Sequence, residues 1–205
     1  MLIVEGTDLV GKSTLCNELI RRLWLLGYPI VYQHFGILPA SWDYFEDYIS
    51  FMNKRVCMDR FIMSEVVYGE TSRSGSKISP MKYYELDGYL RVNQSVTVVI
   101  VADDSWLHAQ YECLVDRSPY SDILRQTKKR KEYYGEEVIL KANQGFIDIV
   151  DGQTKYFCDY DFVFKVTNEM PSSNNEFVNS IIEKFLKRTG HESLFKKTDH
   201  VHSDG

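Results

Sequence analysis

No apolar run in the 205-residue sequence approaches the length of about 18 residues that a membrane-spanning helix needs. The first residues, Met1-Leu2-Ile3-Val4-Glu5-Gly6, have neither the basic segment nor the small-residue cleavage site of a secretory signal. They read as a buried strand. The four cysteines, Cys16, Cys57, Cys113 and Cys158, lie far apart with no CxxC pair, which leaves reduced thiols as the expectation. Basic residues are not in excess. Lys and Arg number 24 against 29 Asp and Glu, a formal net charge of -5. That balance disfavours a protein that coats nucleic acid non-specifically, yet leaves room for a pocket with a few local cations. These absences point to a cytoplasmic-type protein without membrane association. A hydrophobic fraction of 44% suffices for one sizeable core, and no repeat or linker divides the chain. A single domain is therefore expected over residues 1–190, with a flexible polar tail over 191–205. In that tail His191, His200 and His202 are expected to be solvated rather than metal-bound.

Short apolar runs alternate with amphipathic stretches. Strands are expected near 1–5, 30–32, 55–58, 96–102 and 162–166. Leu15, Leu19, Leu23 and Leu26 recur at helical spacing and Gly27 stops that helix. Further helices are expected near 42–52, up to Tyr68, over 80–93 with Ser79 as cap and Pro80 in the first turn, up to Val115, up to Val150 and over 176–187. Residues 69–80, polar and serine-rich, read as a loop. Asp103, Asp104 or Ser105 would cap the helix after the fourth strand. The alternation predicts an α/β fold: about five parallel strands with helices on both faces.

Between the first strand and the first helix stands Gly6-Thr7-Asp8-Leu9-Val10-Gly11-Lys12-Ser13, followed by Thr14. This is the phosphate-loop pattern G-x-x-x-x-G-K-S. Its glycines let several backbone N–H groups converge on one anion, and the helix N-terminus adds positive potential. Lys12 would reach the transferring phosphate and the Ser13 hydroxyl would ligate Mg²⁺. ATP with Mg²⁺ is the expected ligand of Gly6 to Thr14.

Glu5-Gly6-Thr7-Asp8 ahead of Gly11-Lys12-Ser13-Thr14 resembles the E-G-x-D-x-x-G-K-S/T opening of thymidylate kinases. Asp59-Arg60-Phe61-Ile62-Met63-Ser64, with Tyr68 four residues on, resembles their D-R-Y-x-x-S-x-x-x-Y segment. His34-Phe35-Gly36 and Ser64-Glu65-Val66-Val67-Tyr68-Gly69 look like a phage and bacterial branch of deoxynucleoside monophosphate kinases. The resemblance spans about residues 1–150 in order of elements. It implies a P-loop nucleotide kinase in the cytoplasm, the host's if phage-encoded, that phosphorylates dTMP or a related pyrimidine nucleotide. It further implies Asp8 facing the acceptor sugar and the magnesium shell, Asp59 near the metal waters, and Arg60 between donor and acceptor phosphates. A mobile lid would lie over residues 116–131, with Arg117 first and Arg125 second closing on the donor. Homodimerisation is implied by resemblance alone.

On the acceptor side the sequence departs from thymidylate kinases. Between His34 and Asp59 the only basic residues are Lys54 and Arg55, and the family's acceptor arginine is missing from its expected place. His34, Arg73, Lys77 or Arg91 would replace it, Arg91 being preferred for its place on the fourth helix. Glu65 stands where some of these enzymes use an asparagine toward the base, although a cap or an ion pair with Arg60 would equally occupy it. Tyr68, Trp42, Tyr44 and Phe45 are candidate walls for a base, or core residues. Two other activities remain open. One is a kinase acting on a hydroxyl of a deoxynucleoside, with Glu5 or Asp59 as base, or on a hydroxymethylated base in DNA. The other is a non-transferring nucleotide switch, which Val101-Ala102-Asp103-Asp104 disfavours by lacking the guanine-reading N-K-x-D.

Overall fold

The computed structural model of the protein describes residues 1–36, 45–51, 55–117, 135–156 and 159–196. In chain order the elements are β1 (Leu2–Gly6), α1 (Lys12–Leu25), β2 (Val31–His34), α2 (Glu46–Phe51), β3 (Val56–Asp59), α3 (Ile62–Ser72), α4 (Pro80–Val92) and β4 (Val96–Ala102). There follow α5 (Asp104–Arg117), α6 (Glu136–Val150), β5 (Phe162–Val166), α7 (Asn175–Arg188) and α8 (Glu192–Lys196). The strands form one sheet in the order β2-β3-β1-β4-β5, with every pairing parallel.

Strands β1, β3 and β4 are buried along their whole length. Parallel strands covered on both faces need continuous apolar sequence rather than alternation, and Val96–Ala102 supplies it. Their side chains then divide by the period of two. Ile3, Val99 and Val101 enter a core with Val66 of α3, Leu86 of α4 and Phe146 of α6. Leu2, Val4, Val98 and Ile100 enter the opposite core with Leu15, Leu19 and Leu23 of α1 and Ile181 and Phe185 of α7. The expected α/β fold with helices on both faces is the one observed. β1 sits between β3 and β4, so the chain leaves β1 toward one edge and later returns to its other side. A ligand crevice belongs at the carboxyl end of such a switch point.

Three local expectations change. Helix α3 runs on to Ser72 instead of stopping before Gly69. Thr71 and Ser72 look like loop residues, but their hydroxyls donate to the Val67 and Tyr68 carbonyls one turn back, which keeps polar side chains satisfied inside a helix. Gly69 is required there, because a Cβ would lie 2.5 Å from Ser76 Cα of the returning loop. The chain after Gly190 forms α8, with Leu194 and Phe195 packed on the second core and the His191 ring edge-on to Tyr28 at 4.7 Å. The expected flexible tail therefore does not begin at residue 191; His200 and His202 lie outside the described residues. Finally, the Asp103 carboxylate pairs with Lys165 at 2.6 Å, while its carbonyl accepts from Trp106 and Leu107. Cys16, Cys57 and Cys113 are free thiols, the first two buried; Cys158 is outside the described residues.

Candidate active site

The site begins where β1 ends. Gly6 has φ 141° and lies against β4, where a Cβ would come 2.3 Å from the Ile100 carbonyl oxygen. The chain then turns through positive φ at Leu9 (69°) and Gly11 (84°) before entering α1. The Thr7 hydroxyl donates to the Ile139 carbonyl at 3.1 Å, tying the loop to α6. Gly11 offers no side-chain cap, so the first amides of α1 have no intrahelical acceptor and stand ready for an anion. Ser13 and Thr14 are exposed beside them.

Lys12 is buried and its Nζ donates back to the Thr7 carbonyl, 4.0 Å from Asp8 Oδ1. Burial, and then the nearby Arg60 charge, pull its pKa down to about 8. A cation held this way is under-solvated and gains from an arriving phosphate.

Asp59, at the tip of β3, is fully buried. Its Oδ2 accepts from the Ser13 hydroxyl and from the Tyr32 hydroxyl at 2.8 Å, with His34 Nδ1 at 3.4 Å. Its Oδ1 is buried with no partner among the described residues. Next to it Arg60 adopts φ 73° while its amide bonds the Val4 carbonyl. The turn sends its guanidinium onto Asp8 Oδ1 and over the Tyr68 ring, 4.9 Å from the centroid. The Tyr68 hydroxyl donates to Asp8 Oδ2 and accepts from the Asp8 amide, both at 3.1 Å. Burial pushes the Asp8 carboxyl upward, but Arg60 and then Lys12 hold it below its ordinary value. Loop, third strand and third helix thus meet at one charged cluster.

Beneath the cluster lies Glu5, which accepts from the amides of Phe61, Met63 and Ser64 at 3.0, 2.9 and 3.2 Å and from the Ser64 hydroxyl. A buried carboxylate in an apolar strand is here the cap of α3. Burial nevertheless raises its pKa to about 7, against the hydrogen bonds that lower it. The folded state therefore binds more protons than the unfolded chain between pH 4.5 and about 7, so stability falls as pH rises through that window. The loss assigned to Glu5 is about 3 kcal/mol. Urea unfolding at stepped pH is expected to show a shallower slope in Glu5→Gln than in the parent. Identical slopes would remove Glu5 from the balance.

A cleft open to solvent lies beside the cluster. Asp8 and Arg60 line it together with the aromatic side chains of Phe35, Tyr48, Phe61 and Tyr68. Glu65 and Arg73 also line it. Arg73 Nη2 donates to Glu65 Oε2 and to the Glu65 carbonyl, each at 2.9 Å, and the Lys77 amide reaches Glu65 Oε1 at 3.3 Å.

The structure thus brings together Gly6 to Thr14, Asp59, Arg60, Glu65 and Tyr68, and places His34 beside Asp59. It does not bring Arg91. That side chain pairs with Asp87 and Asp159 at 2.8 Å each, near Ser95 and Thr97 at the start of β4, the opposite end of the strands. Arg73 occupies the cleft instead. Glu65 pairs with Arg73, not Arg60. Phe45 packs on Tyr89 and under Lys82. Arg125, Trp42, Tyr44 and the side chain of Arg117 are outside the described residues. The walls Phe35, Tyr48 and Phe61 are not singled out by the sequence, although Phe35 directly follows β2 and Phe61 comes two residues after β3.

No protein-family model and no curated protein matches the chain. Among solved structures it is similar to the YorR protein of Bacillus subtilis, determined in complex with phosphorylated GDP. That likeness covers 93% of this chain and 98% of YorR, with a TM-score of 0.58 and 20% sequence identity. At this identity the likeness shows the fold alone, an α/β protein built on a parallel five-stranded sheet.

Proposed function

We propose that the protein is an ATP- and Mg²⁺-dependent nucleoside monophosphate kinase. The observation that carries this reading is the pairing of a phosphate loop with a separate cleft, joined by Asp8 and Arg60. A hydrolytic switch needs only the loop, whereas a transferase needs a second place for an acceptor. The YorR complex with phosphorylated GDP supports a nucleotide as ligand. The sequence resemblance makes dTMP or a related pyrimidine deoxynucleotide the first acceptor to try.

In this reading the loop amides and Lys12 hold the donor phosphates, and Arg60 stabilises charge spread over the transferring group. Asp8 orients Arg60 and faces the acceptor sugar, and Tyr68 fixes Asp8. The side chains of Arg117 and Arg125 would close over the donor, excluding water. Asp59 Oδ1, buried and without a partner among the described residues, and the Ser13 hydroxyl are hard oxygens that fit Mg²⁺. Ser13 and Asp59 would hold the ion, largely through its waters. When bound, Mg²⁺ supplies neutralisation of the phosphate oxygens. Transfer is direct and in line, with no covalent enzyme intermediate.

The hydroxyl-accepting alternative loses one of its two bases, since Glu5 is committed to the start of α3. A coupled ADP-release screen over nucleosides, nucleoside monophosphates and hydroxymethylated DNA decides among the readings. We expect ADP release that requires a monophosphate and yields the diphosphate. Release independent of any acceptor would establish a hydrolase, and release with nucleosides or DNA a hydroxyl kinase. No helix among the described residues is long and apolar enough to cross a membrane, and the cytoplasm is the proposed location.

A further inference from the structure

We infer that the acceptor cleft reads guanine, and that Glu65 and Arg73 are the residues that read it; the inference rests on the cleft being an acceptor-nucleotide site, as proposed above. The Glu65 side chain is only 4% exposed, yet it lines the cleft. An ionised carboxylate has room for about four hydrogen bonds, two on each oxygen. Arg73 takes one on Oε2 and the Lys77 amide takes one on Oε1. Among the described residues, one acceptor position therefore remains on each oxygen. Beside them Arg73 spends only Nη2 on Glu65, which leaves Nε and Nη1 as donors among the described residues. Because Arg73 is bound to Oε2, the pair offers its groups in the order donor, Oε2, Oε1, a donor followed by two acceptors.

That row selects among the bases. Guanine carries O6, N1–H and the N2 amino group side by side, an acceptor followed by two donors. Arg73 would give to O6, and the two Glu65 oxygens would take from N1–H and N2–H. Thymine has its single N3–H between two carbonyls, so one carbonyl would face a carboxylate oxygen. Adenine and cytosine have an amino group next to an unprotonated ring nitrogen, which would face the second oxygen in the same way. Like-polarity contacts of this kind are costly where water is excluded, because a buried polar group left unpaired bears its full desolvation cost. A site built on hydrogen bonds to a substrate N–H rejects analogues that lack it far more strongly than an apolar pocket does. The aromatic walls hold any base flat and do not choose. The choice of pyrimidine suggested by the sequence resemblance would therefore be overridden by the polar pair in the cleft.

The test is equilibrium binding to the full chain without ATP, by calorimetry, for dGMP, dIMP, dTMP, dCMP and dAMP. We expect dGMP to bind at least tenfold tighter than each of the others. The ligand dIMP lacks only the N2 amino group, so its deficit measures one Glu65 oxygen without altering the protein. A second arm uses Glu65→Gln, whose amide offers one acceptor and one donor. That pair suits N3–H beside a carbonyl, so dGMP affinity should fall at least tenfold while dTMP affinity holds or rises. Equal binding of dGMP and dIMP, or a tighter fit for another base, overturns the inference. So does an equal loss for all ligands in Glu65→Gln, which would mean that the pair merely braces the 73–79 loop. Because no transfer is measured, these outcomes stand apart from the ADP-release screen. Guanine selectivity without turnover would leave the inference intact and remove the kinase reading.

Discussion

Lys12→Ala is expected to lower kcat for acceptor-dependent ADP release by about 10²–10³, the effect of removing one well-placed donor at a developing charge, about 2.7–4 kcal/mol. The expectation follows from where the ammonium rests. It is buried, its pKa is drawn down to about 8, and its partners are the Thr7 carbonyl and, at 4.0 Å, Asp8. A cation desolvated in advance has less to lose when phosphate displaces those contacts, so more of its attraction is realised in the transition state. Alanine should be tolerated by the fold, because the site loses a strained charge and exposes no apolar surface. Circular dichroism and thermal midpoint should therefore stay near those of the parent while turnover falls. Lys12→Arg should not restore activity, since a planar fork does not replace a compact ammonium in a closed loop. Retention of more than a tenth of the parental kcat in Lys12→Ala would place phosphate transfer elsewhere.

The parts of this site that can be read along the chain are those made by neighbours in sequence. Gly6 to Thr14 is legible because backbone angle, helix start and side chains are all specified within one turn. Asp59-Arg60 is legible for the same reason: a buried strand ends and its charged residues must emerge at the ligand end of the sheet. Asp8, Arg60 and Tyr68 meet because β1 and β3 are adjacent in register, with Val4 opposite Asp59. That adjacency follows from the α/β alternation. The base-reading pair is different. Arg73 reaches Glu65 only because α3 continues to Ser72 and the chain then folds back over Gly69. Polar residues at 71 and 72 disguise that continuation. Arg91 was favoured for lying on the right helix, but α4 leads its carboxyl end toward the start of β4, so its last turn lies at the wrong end of the sheet. Glu5 showed itself as a charge within an apolar strand. Its partners, the amides opening α3, required knowledge of how β1 abuts that helix.

Gly6→Ala is expected to be the most destabilising single-methyl change in the site, and Gly11→Ala provides its control. Both glycines have positive φ, so alanine at either is strained by about 1–2 kcal/mol. Their surroundings separate them. At Gly11 the new Cβ would meet Met170 Cε at 2.9 Å, the free end of a flexible side chain that can swing aside. At Gly6 it would meet the Ile100 carbonyl oxygen at 2.3 Å. That oxygen belongs to the buried central strand β4, and Gly6 is opposite Ile100 in the ladder. Relief there requires β1 and β4 to part, which breaks ladder bonds and opens both cores together. Adding such a clash to the strain should bring the cost above about 3 kcal/mol. For a chain of this size each kcal/mol lowers the midpoint by about 2–4 °C. Thermal unfolding should thus show a fall of about 2–8 °C for Gly11→Ala, with a larger fall or insolubility for Gly6→Ala. Equal midpoints for the two variants would mean that β1 does not end pressed against Ile100, and the loop would lose the support that aims its amides at the ligand.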